Sequence, residues 1–182
     1  MLPASRFDDA FEVNGFPIVE FDRRLIDKDL LRGFVIGWSA DLTLIQLIDG
    51  HQYLLNGYSV FRNADVKLWR PVSKDKFLAR AAVANGLRPQ APPGIFYTSI
   101  REAVASAGAA LPLVTIHQEK RYKNSCRVGR LLRTNLRSAY LLDISPGAEW
   151  ESEERYPLKE ITLLQFGGTY ERLLASMAAT HP

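Results

Sequence analysis

The chain of 182 residues is 47% hydrophobic and 24% charged, a balance that is typical of globular domains with a sizeable core. No apolar run reaches the roughly 20 residues of a membrane span, and the acidic N-terminus lacks the layout of a secretion signal. The net charge of +3 is too small to indicate nucleic acid by itself, and the single Cys126 excludes an internal disulfide. We therefore expect a soluble, cytoplasmic protein.

The first third of the chain predicts several strands. PIVEF (residues 17–21), GFVIGWS (33–39) and LTLIQLI (42–48) are apolar runs, and the last two are joined by a short turn. Gly33 and Gly37 lie inside one of these strands, where glycine marks a bulge, a bend or a close approach of two backbones. Such a strand can curl strongly, as strands of small closed barrels do.

A hairpin and two helices follow in the sequence. The Asn-Gly pair at 56–57 predicts a hairpin turn, and a short strand ends at Pro71. Helical spacing then appears in residues 73–86, with Ser73 as the N-cap and Gly86 at the C-terminal end. A second helix is predicted over residues 97–108, capped by Thr98 or Ser99 and ended by Gly108.

The second half of the chain repeats landmarks of the first. Pro17 corresponds to Pro112 and Gly33 to Gly129, at separations of 95 and 96 residues. Residues 64–69 and 159–164 are similar short strands at the same separation, and a helix with an aromatic residue at its start follows each. This pattern predicts an internal duplication of a strand-rich unit of about 70 residues.

Each unit resembles the Sm-like small barrel, a strongly bent sheet of five strands. The resemblance is carried by Gly33, by the stretch Gly37-Trp38-Ser39-Ala40-Asp41-Leu42-Thr43-Leu44 and by Phe61-Arg62-Asn63-Ala64-Asp65-Val66. It implies a mainly β protein with two Sm-like or SH3-like five-stranded barrels related by duplication. The expected division is an N-terminal segment (1–15), a first barrel (16–71), a helical connection (72–110), a second barrel (111–168) and a C-terminal helix and tail (169–182).

The family binds RNA, and the resemblance implies that Arg62 and Asn63 are what remains of its base pocket. Other positions depart from the family pattern. Thr43 and Ala139 stand where the family has an RNA-contacting asparagine, and Pro157 stands where the second unit would have the arginine. The architecture is therefore expected to carry over better than the usual mode of RNA binding.

The distribution of charge indicates where a nucleic acid would bind. Residues 120–137 include seven basic side chains and no acidic one, whereas residues 143–160 include six acidic and two basic ones. Basic side chains neutralise phosphates, and Tyr122 could stack on a base. The candidate contacts in this segment are Lys120, Arg121, Tyr122, Lys123, Arg127, Arg130 and Arg133.

The patch has a geometric difficulty and an alternative explanation. On a regular strand Arg127 and Arg133 would share a face while Arg130 would lie on the other, so the patch would be split. Alternatively, the basic residues form a solvated surface paired with the acidic segment 149–154.

Catalysis has little support in the sequence. His51, His117 and His181 show no metal-ligand spacing, and we predict neither metal nor cofactor. His117 and Glu119 could form an acid–base pair, although a solvated strand face is the favoured interpretation. Cys126 is interpreted as a buried structural thiol. The protein is therefore predicted not to be an enzyme.

Two binding functions stay open. The leading one is a non-catalytic module for RNA or another single-stranded nucleic acid. The alternative is a protein-interaction or regulatory adaptor that uses strand edges and exposed aromatic side chains, with Trp150 expected to be exposed among glutamates. Assembly into a homo-oligomer through strand edges is a further expectation, and no membrane partner is expected.

Overall fold

A computed structural model describes residue 7, residues 9–24 and residues 26–180. The chain divides into two units, residues 1–92 and residues 93–182. The boundary lies within the predicted helical connection, so one of the described α-helices belongs to the first unit and two belong to the second. None of the helices among the described residues is long and apolar enough to cross a membrane.

The described residues of the first unit form six antiparallel strands and one α-helix. The strands pair in the order β1-β2-β3-β4-β5, and β6 pairs with β2 on the edge opposite β3. Their bounds are β1 (Glu12–Val13), β2 (Phe16–Asp22), β3 (Leu30–Trp38), β4 (Leu42–Ile48), β5 (Leu55–Arg62) and β6 (Leu68–Pro71), followed by α1 (Phe77–Ala84).

The two glycines of β3 have different roles, and both were among those predicted. A Cβ atom at Gly33 would lie 2.3 Å from the backbone oxygen of Gln46, so β3 and β4 approach closely there. Gly37 follows a bulge, because Val35 pairs with Ile45 while Gly37 pairs with Leu44. The extra residue on β3 bends the strand at this point.

The Asn56-Gly57 pair is a bulge and not the predicted hairpin turn. Gln46 pairs with Tyr58 and Ile48 pairs with Leu55, so two residues of β5 lie opposite one residue of β4. The chain reverses earlier, where the Asp49 carboxylate accepts hydrogen bonds from the backbone N–H groups of His51 (2.8 Å) and Gln52 (2.7 Å). Gly57 uses its positive φ of 71° within the bulge.

Helix α1 packs its apolar side against one face of the first sheet. Leu78, Ala79 and Ala82 of the helix are buried in a cluster with strand residues such as Ile18 and Phe34. The predicted cap at Ser73 is wrong, because its hydroxyl bonds to the Asp75 carboxylate (2.5 Å) and the helix starts after Lys76. The predicted end at Gly86 is confirmed by its φ of 59° just beyond the helix.

Within residues 93–180, the second unit has five antiparallel strands in the order β11-β7-β8-β9-β10. Helix α2 is capped by Ser99, as one of the two predicted alternatives, but it continues past Gly108. Helix α3 buries Leu174 and Ala178 in a cluster with Val128 and Ile144. The bounds are α2 (Ile100–Ala110), β7 (Val114–His117), β8 (Cys126–Thr134), β9 (Ser138–Ile144), β10 (Trp150–Pro157), β11 (Leu163–Phe166) and α3 (Thr169–Thr180).

Glycines of the second unit also occupy tight positions. A Cβ at Gly129 would lie 2.6 Å from the backbone oxygen of Leu142, and a bulge follows between Leu131 and Arg133. A Cβ at Gly108 would lie 2.4 Å from side-chain atoms of Leu131, which explains why a glycine is found inside α2. Both units thus have a glycine at a close approach of two strands, followed by a bulge, at Gly33 and at Gly129. The internal duplication itself stays a prediction.

The predicted pair of five-stranded Sm-like barrels is wrong. The strands form an open antiparallel sheet. A closed barrel would require the two outer strands of each predicted barrel to pair with each other. Among the described strands, β5 does not pair with β6 and β10 does not pair with β11. The bulges bend the strands, but bending alone does not close a sheet. The first unit also has a strand, β1, in the segment that was predicted to precede the barrel.

Candidate functional site

A polar cleft of about 540 Å³ lies in the second unit. Three parts of the chain form it, namely the turn after β7, the start of β8 and the outer strand β10. Its charged lining comprises four basic side chains and two acidic ones: Arg121, Lys123, Arg127, Arg155, Glu151 and Glu154. All six are exposed to solvent, so the cleft presents an excess of positive charge to a ligand.

The turn after β7 places an exposed aromatic side chain, that of Tyr122, in the cleft. The backbone oxygen of Gln118 accepts hydrogen bonds from the N–H groups of Arg121 (2.9 Å) and Tyr122 (2.8 Å). Tyr122 is 51% exposed, and the Arg121 guanidinium lies 5.2 Å from its ring centroid. An exposed ring beside cations can accept a stacked base.

Glu160 holds Arg121 in place at the edge of the cleft. Its carboxylate oxygen Oε2 lies 3.1 Å from Arg121 Nη1 and 3.2 Å from Gln118 Nε2. The hydrogen bond to Glu160 is the largest of the effects that raise the pKa of Arg121. Arg121 is therefore paired with Glu160 at the edge of the cleft, while Lys123 and Arg127 supply further positive charge.

A buried acidic group lies behind the cleft wall. Tyr156 lines the cleft, and its hydroxyl donates a hydrogen bond of 2.5 Å to Asp143 Oδ2. Asp143 is buried, and its Oδ1 has no hydrogen-bond partner among the described residues. Burial raises the pKa of Asp143, and burial together with the Asp143 carboxyl raises the pKa of Tyr156. Tyr156 is thus fixed in the protonated form at neutral pH.

The substitution Asp143→Asn tests the burial of this carboxyl group. Because the folded-state pKa is raised, the stabilisation from this group is fully present below the unfolded value of 3.8 and is lost as the pH rises through the folded pKa. We expect the unfolding free energy of the wild type, relative to Asp143→Asn, to decrease as the pH rises from about 4 towards neutrality. Urea unfolding at a series of pH values measures this difference, and parallel curves would contradict the expectation.

The structure brings four of the predicted site residues together in the cleft, namely Arg121, Tyr122, Lys123 and Arg127. Lys120 is exposed next to them but is not part of the lining. Arg155 is a fifth member that sequence reasoning missed, because it lies in a segment that is otherwise acidic. Alternation along the strand could not have found it, because alternation places Arg155 on the face of Glu153, which pairs with Arg133 and is not part of the cleft lining.

Arg130 and Arg133 lie on the other face of β8 from Arg127. Arg130 pairs with Leu142 and Arg133 pairs with Tyr140, so the bulge between Leu131 and Arg133 brings both arginines to one face. The prediction that Arg127 and Arg133 share a face is therefore wrong, because a regular alternation was assumed.

The side chains of these two arginines pack on aromatic rings. The Arg130 guanidinium lies 4.6 Å from the Trp150 ring centroid, and that of Arg133 lies 3.9 Å from Tyr140. Arg133 also pairs with Glu153 at 2.5 Å. Trp150 is half-buried rather than exposed as expected, since it packs against the cluster beneath α3.

Arg62 and Asn63 belong to the first unit, where Asn63 links two parts of the backbone. Its Nδ2 donates to the backbone oxygens of Ser39 (2.9 Å) and Ala40 (3.1 Å), and its Oδ1 accepts from the Thr43 hydroxyl (2.5 Å). The amide therefore fixes the turn between β3 and β4. A base would have to displace these contacts to use it.

The residues considered for catalysis have structural contacts. His117 Nε2 lies 3.0 Å from Gln165 Oε1, and the Glu119 carboxylate accepts from Thr162 (2.6 Å). Glu119 is buried beyond the end of β7, so these two residues do not form the solvated strand face that was favoured. Cys126 is exposed and not a buried thiol, and partial burial of its sulfur raises its pKa.

Among the described residues, no group of three or more histidine, cysteine, aspartate or glutamate side chains is placed to hold a metal ion. His181 lies outside the described residues. Comparisons of the chain with protein-family models, with curated proteins and with solved structures found no match.

Proposed function

We propose that this chain is a non-catalytic binding module for single-stranded nucleic acid, with RNA as the first candidate, and that the strand contacts the cleft of the second unit. One observation carries the proposal: four basic side chains and the exposed ring of Tyr122 line the same cleft. Cations that follow the backbone and a ring that stacks on a base are the two components of single-strand recognition.

The charges of the cleft suit a flexible strand better than a compact multivalent anion. Glu151 and Glu154 lie on the same lining as the cations, so phosphates must be directed to one side of the cleft. A single strand can turn its phosphates towards Arg121, Lys123 and Arg127 and its bases towards Tyr122. The acidic side chains then oppose non-specific binding of phosphate by repulsion.

Fluorescence anisotropy with a labelled oligoribonucleotide tests this proposal across a salt series. We expect the double variant Lys123→Ala/Arg127→Ala to bind about tenfold more weakly. Its slope of log affinity against log salt should be smaller by roughly 1.4, since each phosphate contact to a single strand contributes about 0.7. Lys123 and Arg127 are exposed, so the variant should fold normally.

The matched control is Arg80→Ala/Arg101→Ala, which removes two exposed cations from helices α1 and α2 outside the cleft. We expect it to bind within about twofold of the wild type, since neither position is part of the cleft lining. An equal loss in both double variants would contradict a site in this cleft. Absence of binding at low salt would contradict the nucleic-acid function itself.

The substitution Tyr122→Ala separates stacking from charge. Base stacking on an aromatic side chain contributes about 1–3 kcal/mol, so we expect roughly a tenfold loss of affinity with an unchanged salt slope. Tyr122→Phe keeps the ring and should retain binding. A variant Tyr122→Ala that binds as the wild type does would contradict the role of the ring.

A further inference from the structure

A second cleft of the same unit adjoins the first along the outer strand. It has a volume of about 600 Å³ and is formed by the turn between β8 and β9, the end of β10 and the 3₁₀ turn Leu158–Glu160. Arg155 and Pro157 line both clefts. The two clefts therefore meet at Arg155, whose side chain is exposed on β10.

The second cleft adds cations without adding a free carboxylate. Its lining includes Arg137 and Lys159, both exposed, and a single acidic residue, Glu160. That carboxylate already pairs with Arg121 at 3.1 Å, and Arg121 belongs to the first cleft. The pair neutralises the acidic group at the boundary between the clefts, so the remaining charge of the second cleft is positive.

The backbone holds Arg137 in place from both sides. Its N–H donates to Asn135 Oδ1 at 2.8 Å, and its carbonyl oxygen accepts from the N–H of Leu158 at 2.9 Å. The second bond links the turn between β8 and β9 to the residues that carry Lys159. Next to Arg137, Leu136 is 84% exposed and offers an apolar contact at the mouth of the cleft. The cations of this cleft are thus presented by an ordered backbone.

We propose that one single strand occupies both clefts and crosses between them at Arg155, which contacts the phosphate at the crossing. This inference rests on the proposed function and extends it to a ligand of several nucleotides. Apart from the Arg121–Glu160 pair, five basic side chains would then follow the strand, in contrast to two glutamates: Lys123, Arg127, Arg155, Arg137 and Lys159. Charge complementarity with a polyanion supports this occupant over a peptide, whose backbone is neutral.

The test uses oligouridylates of two lengths, one short (~3 nucleotides) and one long (~9 nucleotides), within the range of single-strand site sizes. Affinities for the wild type and four variants are measured by anisotropy at constant salt. Arg137→Ala/Lys159→Ala should weaken the long strand about tenfold and should leave the short strand within about twofold, because the short strand fits in the first cleft alone. Arg101→Ala is the control and should change neither affinity.

Arg155→Gln should weaken both strands, since Arg155 lines both clefts. The glutamine keeps a polar side chain on an exposed edge strand, so this variant should fold even if an alanine destabilised β10. Far-ultraviolet circular dichroism of each variant verifies folding before the titrations.

The outcomes of these titrations distinguish a failure of the two-cleft inference from a failure of the proposed function on which it rests. If the long strand binds the wild type and its affinity falls in the Lys123→Ala/Arg127→Ala variant but not in Arg137→Ala/Lys159→Ala, the two-cleft inference is overturned and the proposed function stands. If neither strand binds the wild type, the proposed function fails and the inference fails with it. A tenfold loss in Arg137→Ala/Lys159→Ala that is confined to the long strand supports both.

Discussion

The substitution Gly33→Ala is expected to lower the free energy of unfolding by about 3 kcal/mol. The added Cβ would lie 2.3 Å from the backbone oxygen of Gln46 and 3.0 Å from its carbonyl carbon. Backbone atoms of β4 cannot rotate away as a flexible side chain does. Relief of this clash would require β3 to move away from β4. That movement would disturb the strand pairing of Gly33 with Leu47 and of Phe34 with Gln46.

Urea unfolding followed by circular dichroism measures this loss. Gly50→Ala is the matched control, since a Cβ there would meet only the end of the Arg32 side chain at 3.5 Å, and φ at Gly50 is not in the left-handed region. We expect Gly50→Ala to stay within about 0.5 kcal/mol of the wild type. Equal stability of the two variants would show that β3 and β4 can separate without cost, contrary to the close approach at Gly33.

The substitution Phe34→Ala is expected to lower the unfolding free energy by about 3–5 kcal/mol. Phe34 is fully buried in the cluster that joins the first sheet to α1, where it packs with Ile18 and Leu78 among others. Its removal loses the transfer free energy of the ring and leaves a cavity between a strand and a helix. These elements are hydrogen-bonded within themselves, so they can close the cavity only in part.

Two further variants test whether the loss of stability in Phe34→Ala comes from the packing of a buried ring. Phe34→Leu retains most of the volume and should lower the unfolding free energy by roughly 1–1.5 kcal/mol. Phe96→Ala removes a ring that is 63% exposed and should have an effect of about 0.5 kcal/mol or less. If Phe34→Ala lowered the unfolding free energy as little as Phe96→Ala does, the packing of α1 on the sheet would not contribute to stability.

Local patterns in the sequence were sufficient to predict most elements of the fold, but they led to a wrong prediction of closed barrels. The glycines of β3 indicated a close approach and a bulge, and both are present at Gly33 and Gly37. Closure into a barrel depends on pairing between strands that are remote in sequence, and hydrophobic periodicity carries no information about that pairing. The Asn56-Gly57 signal also failed because the Asp49 carboxylate stabilises an earlier chain reversal.

The candidate site was predictable where its residues are consecutive. Arg121, Tyr122 and Lys123 follow one another in the turn after β7, so a basic segment in the sequence becomes a basic wall of the cleft. Arg155 was missed because its neighbours in sequence are glutamates, whereas its neighbours across the cleft are cations. Arg133 was assigned to the wrong face because a bulge cannot be located from alternation alone.

The contact at Gly108 affects how α2 and β8 of the second unit unfold. Leu131 of β8 occupies the space where a side chain at Gly108 would lie, so α2 and β8 are interlocked at that point. The helix can neither rotate nor slide along the strand without driving its backbone into the leucine. We therefore expect helix and strand to separate together, and their amide hydrogens to exchange as one cooperative unit.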